Sequence, residues 1–142
     1  MIAVDTNILI YAHREETQQH ALARSHIERL AVGFAPWSIP VFCLSEFVRV
    51  VTHPRVFAPP SPLATALAFV DALLESPTVI VLVPDADYWT TFRDLCISAD
   101  SKGNLAFDAA IAALCLAHGA RLLTADRDFA RFSPLETMAL NS

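Results

Sequence analysis

The chain is short of every feature that would place it outside an ordinary folded domain. It has three cysteines in 142 residues, Cys43, Cys96 and Cys115. The number is odd, there is no CxxC pair, and each sits among apolar neighbours, so they read as buried reduced thiols and not as a disulfide framework. No His/Cys cluster has zinc-ligand spacing. Hydrophobic residues make up 54%, yet no run approaches the roughly 18 uninterrupted apolar residues of a membrane span. The start, Met1-Ile2-Ala3-Val4-Asp5, has no basic region and meets a carboxylate at once, unlike a signal peptide, which sets the expectation of a cytoplasmic protein. Repeats, low-complexity tracts and linkers are missing, and the length suits a single domain over residues 1–142. A domain of this size buries roughly 68–70% of its unfolded surface and needs no staple. Positive charge is also scarce. Ten basic residues, one of them a lysine, stand against fifteen acids for a net charge of −5. That is not the footprint of a passive nucleic-acid binder. An acidic chain can still act on a polyanion if its carboxylates hold cations, so the question becomes where the carboxylates are.

What is present is an alternation of segment types. Ile2–Val4, Phe34–Trp37, Thr78–Val83, Arg121–Thr124 and Thr137–Leu140 read as strands. The Thr78–Val83 run is wholly apolar, as expected of a strand covered on both faces. Helices are expected over Asn7–His13, over Thr17–Ala31 with Ala21, Leu22, Ile27 and Leu30 inward, from a Ser38 cap with an early Pro40 to about Thr52, from Ser61-Pro62 to about Ser76, over Asp85–Ser98, and from an Asn104 cap through His118 to a stop at Gly119. Asp128–Phe132 reads as a helical turn. Strands alternating with helices imply an α/β fold with a parallel sheet covered on both sides, and in such sheets sites form at the carboxyl ends of the strands.

Acids stand at those ends. Asp5 follows the first strand, and Asp126 and Asp128 follow the Arg121–Thr124 strand. Asp108 lies one turn into its helix, on the same face as Asn104 and near the positive dipole end. Glu46 is embedded in a helix of apolar neighbours, where a carboxylate needs a partner or a cation. Each has a plain structural use: Asp5, Asp126 and Asp128 as caps, Asp108 as a first-turn acid, Glu46 as the i,i+3 partner of Arg49. Together they form a cluster of like charges that a hard cation such as Mg²⁺ or Mn²⁺ would relieve.

The joint pattern resembles the PIN-domain family, and within it the VapC toxins. Val4-Asp5-Thr6-Asn7 matches the first motif, Ser45-Glu46-Phe47 the helical glutamate, Asn104-Leu105-Ala106-Phe107-Asp108-Ala109 the third motif and Leu123-Thr124-Ala125-Asp126-Arg127-Asp128-Phe129 the fourth. Thr52-His53-Pro54-Arg55-Val56-Phe57 is similar to a segment of one VapC branch. The resemblance runs from Asp5 to Phe129 and implies a three-layer α/β/α sandwich with a mostly parallel central sheet. It implies an Mg²⁺-dependent (or Mn²⁺-dependent) endoribonuclease, the toxin of a type II pair, neutralised by a cognate VapB-like antitoxin. It implies a homodimer, contact with operator DNA only through the antitoxin, and no membrane. By matched position Asp5, Glu46, Asp108 and Asp126 are the acidic quartet, with Asp5, Asp108 and Asp126 on the metal. Asp128, Thr6, Asn7, Asn104 and Thr124 are accessory.

Arg14, Arg55, Lys102 and Arg127 are candidate RNA contacts, against the simpler reading as solvated side chains. Trp37 or Phe57 could stack on a base, although core packing accounts for them better. Three other readings compete. A receiver-like signalling domain also gathers acids around Mg²⁺, but it carries a lysine at the end of a late strand, and Lys102 precedes a helix. An interaction protein would act mainly by binding its antitoxin. A PIN nuclease of RNA maturation would have no antitoxin.

Overall fold

Five strands form one sheet in the order β3-β2-β1-β4-β5, every neighbouring pair parallel. The computed structural model describes residues 1–141. The strands are β1 (Ile2–Val4), β2 (Trp37–Pro40), β3 (Val79–Leu82), β4 (Arg121–Leu123) and β5 (Thr137–Met138). The helices are α1 (Thr6–His13), α2 (His20–Val32), α3 (Val41–Val51), α4 (Leu63–Leu74), α5 (Tyr88–Ser98) and α6 (Asn104–Ala117), with a 3-10 helix at Arg127–Arg131. No helix is long and apolar enough to cross a membrane.

The architecture is the three-layer α/β/α sandwich. From β1 the chain steps outward to β2 and β3, then returns across the sheet to β4 and continues to β5. Right-handed crossovers on those two headings place α1 to α4 on one face and α5 and α6 on the other. The strand order reverses between β1 and β4, and the crevice of such a sheet opens there, beyond the strand ends. The central strands are buried: Ala3, Val4, Leu122 and Leu123 are essentially inaccessible, as are Ile8, Leu9, Trp37, Phe47, Ile111 and Leu114 around them. The middle of α6, Ala109 to Cys115, is buried throughout. Its run of alanines allows a helix to lie against the sheet on one side and its neighbours on the other.

The structure corrects several sequence expectations. The second strand begins at Trp37 instead of ending there, and Phe34 is fully exposed. Ser38 is a strand residue whose hydroxyl donates to the Ile2 carbonyl, so it does not cap α3; Pro40 occupies that position. α2 starts at His20 and turns Ala23 and Ile27 inward, leaving Ala21 and Leu22 exposed. β3 is an edge strand with Ile80 44% exposed, so it is not covered on both faces. Asn104 is the first residue of α6 and makes no cap; Gly103 takes the capping position at φ 57°, which a side chain would oppose. Gly119, at φ 61°, does lie just beyond the end of α6. Cys43 and Cys115 are buried free thiols, whereas Cys96 is half-buried.

Candidate active site at the strand switch point

Asp5 is the first residue after β1, and its backbone N–H still donates to the Leu123 carbonyl of β4 at 3.0 Å. Its side chain turns back over the start of α1. Oδ1 accepts the Thr6 N–H at 2.7 Å and lies 3.9 Å from the Cys43 thiol, while Oδ2 accepts the Thr124 hydroxyl at 2.6 Å. The capping role and the clustering with other acids are therefore both real. Asp5 is 4% exposed. Burial pushes its carboxyl up to about 6, against the pull of the Thr124 and Thr6 hydrogen bonds, and the charges of Glu46 and Asp126 add to the rise.

Thr124 joins the two strand ends. Its hydroxyl donates to Asp5 and accepts the Asp126 N–H at 3.0 Å. Asp126 in turn caps the 3-10 helix, its Oδ1 accepting the Asp128 N–H at 2.9 Å. Asn7 braces the same loop by accepting the Ala125 N–H at 3.3 Å. α6 brings in Asp108 from the other face of the sheet. Burial raises its carboxyl to about 7, and Asp126, Asp5, Glu46 and Asp128 all push in the same direction. One carboxylate oxygen from each of Asp108, Asp126 and Asp128 lies within 4.8 Å of the others. Asp128, expected only as an accessory, thus belongs to the tightest group. Asp5 is outside that group, and both its oxygens already accept hydrogen bonds.

α3 contributes the last acid. Glu46 is 23% exposed and 3.6 Å from Arg49, which is 67% exposed. The i,i+3 pair expected from the sequence is present, and it sits at the mouth of the crevice. The cavity between these elements has a volume of about 780 Å³ and is lined by Asp5, Glu46, Asp108, Asp126 and Asp128, by Thr6, Asn7 and Asn104, and by a more apolar wall of Ile10, Phe42, Val50 and Phe107. The Thr6 hydroxyl, also on the lining, is buried and has no hydrogen-bond partner among the described residues.

The basic candidates fall elsewhere. The Arg14 guanidinium bonds Glu16, Ser61 Oγ (3.1 Å) and the Pro59 carbonyl (2.9 Å) and covers the Phe57 ring at 4.4 Å. It is committed to the loop after α3. Lys102 faces Asp100 at 3.4 Å on the surface. Arg55 is exposed, and Arg127 lines a neighbouring cavity of about 390 Å³ with Asp126 and Thr124. Among the described residues, Arg49 is the one basic side chain lining the acidic cavity. Sequence reasoning saw it only as the partner of Glu46. The signal that would have found it is its i,i+7 spacing from Phe42, which puts aromatic, acid and guanidinium on one helix face. Trp37 is core, fully buried with its N–H donating to Ser76 Oγ at 3.1 Å, and so is out of reach of a base. Phe57 lies beneath Arg14.

Known proteins agree with this architecture. The family model described as "PIN domain" matches residues 2–134. A VapC ribonuclease of Mycobacterium bovis, Mb2897, is 44% identical over 135 residues, covering 95% of this chain and 92% of that one. Ribonuclease VapC31 of Mycobacterium tuberculosis is 36% identical over 133 residues, covering 94% of each. Among solved structures, VapBC2 from Rickettsia felis bound to a promoter DNA fragment superposes with a TM-score of 0.71 at 22% identity, over 98% of both chains. VapC20 of Mycobacterium tuberculosis, a toxin that cleaves the sarcin-ricin loop, gives 0.69 at 20% identity, over 92% and 93%. The chain belongs to the PIN-domain family, in its VapC branch.

Proposed function

We infer that this protein is a divalent-metal-dependent endoribonuclease, the toxin of a toxin–antitoxin pair. The observation that carries the reading is the convergence of five carboxylates at the strand switch point, with Asp5 and Asp108 pushed up to about 6 and about 7 by burial first and then by neighbouring carboxylates. Such a cluster is self-repelling, and a cation relieves it. The donors are all oxygen, which suits Mg²⁺ or Mn²⁺ and not zinc.

Asp108, Asp126 and Asp128 would hold the ion directly, with Asp5 as a further carboxylate on the same cavity. When bound, the ion supplies Lewis-acid stabilisation of phosphate charge and lowers the pKa of a water. The chain's own residues do the rest. Thr124 and the Thr6 N–H hold Asp5 in one rotamer, so the cluster is formed before substrate arrives. Asn7 and Thr124 keep the Asp126 loop against the β1 end. Glu46 orients the attacking water and accepts its proton at a carboxylate oxygen. Asn104, exposed at the start of α6, is free to donate to a phosphate oxygen.

Looped or single-stranded RNA fits such an open crevice better than a duplex. A VapB-like antitoxin would neutralise the site by placing a basic side chain among the carboxylates, and operator DNA would be reached only through it. A homodimer, a cytoplasmic location and a single domain over residues 1–142 complete the reading; the kinship with VapC ribonucleases and the resemblance to VapBC assemblies support it. The test is cleavage of total RNA by the free chain with and without Mg²⁺ or Mn²⁺, wild type against Asp5→Asn, with cut ends mapped by sequencing. Metal-independent cutting, or equal cutting by the variant, would overturn the assignment.

A further inference from the structure

Resting on the ribonuclease reading, we propose that α3 measures the RNA strand. Phe42, with Phe107 beside it, receives a base on one side of the cleavage point, and Arg49 grips a phosphate on the other. Phe42, Glu46 and Arg49 lie at i, i+4 and i+7, so they share one face of the helix, and all three line the acidic cavity. At about 1.5 Å per residue, Phe42 and Arg49 are separated by roughly 10 Å along the helix axis, so one strand running along this face meets both. Glu46 stands between them, where the scissile phosphate would meet the carboxylates.

The two ends of the ruler have the right chemistry. The Phe42 and Phe107 rings are 6.2 Å apart at 55°. Phe42 is backed by Tyr88 at 5.9 Å, which fixes its orientation. Phe107 is 37% exposed and adjoins Asp108 in sequence. An aromatic face left open beside a cluster of carboxylates has no use in the core, whereas a base has a π-face to lay on it. Arg49 is the sole basic group on the lining among the described residues. Its 3.6 Å contact with Glu46 is too long for a hydrogen bond and leaves the guanidinium 67% exposed and able to turn toward a phosphate. In an acid-lined crevice some cation must offset the backbone charge of RNA away from the metal, and Arg49 is placed to do it.

The experiment uses the free full-length chain and a fluorescein-labelled 12-nucleotide single-stranded RNA of mixed sequence, titrated by anisotropy across a range of KCl concentrations, beside kcat and KM on an RNA cut by the wild type. Arg49→Gln should weaken binding about tenfold and flatten the log–log salt slope by about 0.7, the loss of one phosphate contact; Arg49→Lys should restore the slope. Phe107→Leu should weaken binding roughly tenfold with the slope unchanged, and Phe107→Trp, which keeps the stacking face, should bind like the wild type. Thermal melts check that each variant is folded. An Arg49 variant that changes kcat but neither KM nor the slope would mean that it only positions Glu46, and would overturn the proposal. So would a Phe107→Leu chain that binds RNA normally but changes its sedimentation, since the aromatic face would then be a protein contact. If the wild type neither binds nor cuts RNA, the ribonuclease reading itself fails and takes this proposal with it; cutting by the wild type with indifferent variants sinks the ruler alone.

Discussion

Two polar clusters lie at the two ends of α1, and they are built on opposite principles. Around Arg14, each polar group has a complement. The guanidinium meets Glu16, Ser61, Pro59 and the Phe57 ring, and Ser61 also faces His13 Nε2 at 2.8 Å. Charge and hydrogen-bonding capacity are used up within the chain, and the result is a clasp that ties the loop after α3 to the end of α1. At the switch point, Asp108, Asp126 and Asp128 crowd together, every charge acting on Asp108 among the described residues is another carboxylate, and a buried Thr6 hydroxyl has no hydrogen-bond partner among them. A polar cluster that satisfies itself holds the fold; one left unsatisfied is waiting for something from outside. Four experiments bear on that contrast.

The largest effect should come from removing charge at the switch point. Asp108→Asn should lower RNA cleavage by two orders of magnitude or more, within or beyond the range for one acid–base group, while the metal-free protein melts at the same temperature or higher because one repelling charge is gone. A variant that is both active and destabilised would put Asp108 with the structural cluster. Glu46→Gln comes next, with an expected loss of roughly 10²-fold in cleavage. Its ion pair with Arg49 is exposed on one side, so stability should fall by no more than about 1 kcal/mol. Full activity with cuts at the same positions would leave Glu46 a helix-surface residue.

The clasp should behave in reverse. Arg14→Ala should cost about 1–3 kcal/mol in urea unfolding, the usual range for hydrogen bonds to charged groups that leave partners unpaired, while cleavage by the folded fraction stays within about threefold. A collapse of activity at full stability would move Arg14 into the substrate site. The smallest effect is a pH dependence. The raised carboxyls of Asp5 and Asp108 bind more protons in the folded than in the unfolded chain between about pH 4 and 7, so they reduce metal-free stability as pH rises through that window. Mn²⁺ replaces those protons. At about 100 times its Kd it should stabilise by ~2.7 kcal/mol, a rise of roughly 5–10 °C in Tm, larger at pH 8 than at pH 5. Equal shifts at both pH values would mean that the ion binds away from these carboxylates.

The sheet's parallel character and the gathering of acids at one edge were legible in the sequence because both follow from local order: strand, acid, helix. What was not legible depended on neighbours far along the chain. Ser38 and Pro40 look like a helix start, but Trp37 to Pro40 had a vacant place beside both Ile2 and Val79, and pairing on two sides outweighed the capping preference of one serine. The apolar Thr78–Val83 run reads as interior, yet the sheet ends there. Asp128 looks like an ordinary turn residue until the 3-10 helix swings it toward Asp108. Arg14 lies near the first motif and Arg127 within the fourth, which gave no hint that one would be consumed by Ser61 and Pro59 and that the other would line a separate cavity.

The bond from Thr124 to Asp5 joins residues 119 apart, and this has a consequence for the order in which the chain is made. Asp5 and Glu46 leave the ribosome well before the β4 strand, which carries Thr124 and Asp126 into register with β1. A growing chain has the first acids without their counterparts, and a fragment that stops short of β4 lacks the edge on which the cluster assembles. On the ribonuclease reading, cutting therefore begins only once β4 has paired with β1, so the step that completes this part of the sheet is also the step a neutralising partner has to meet.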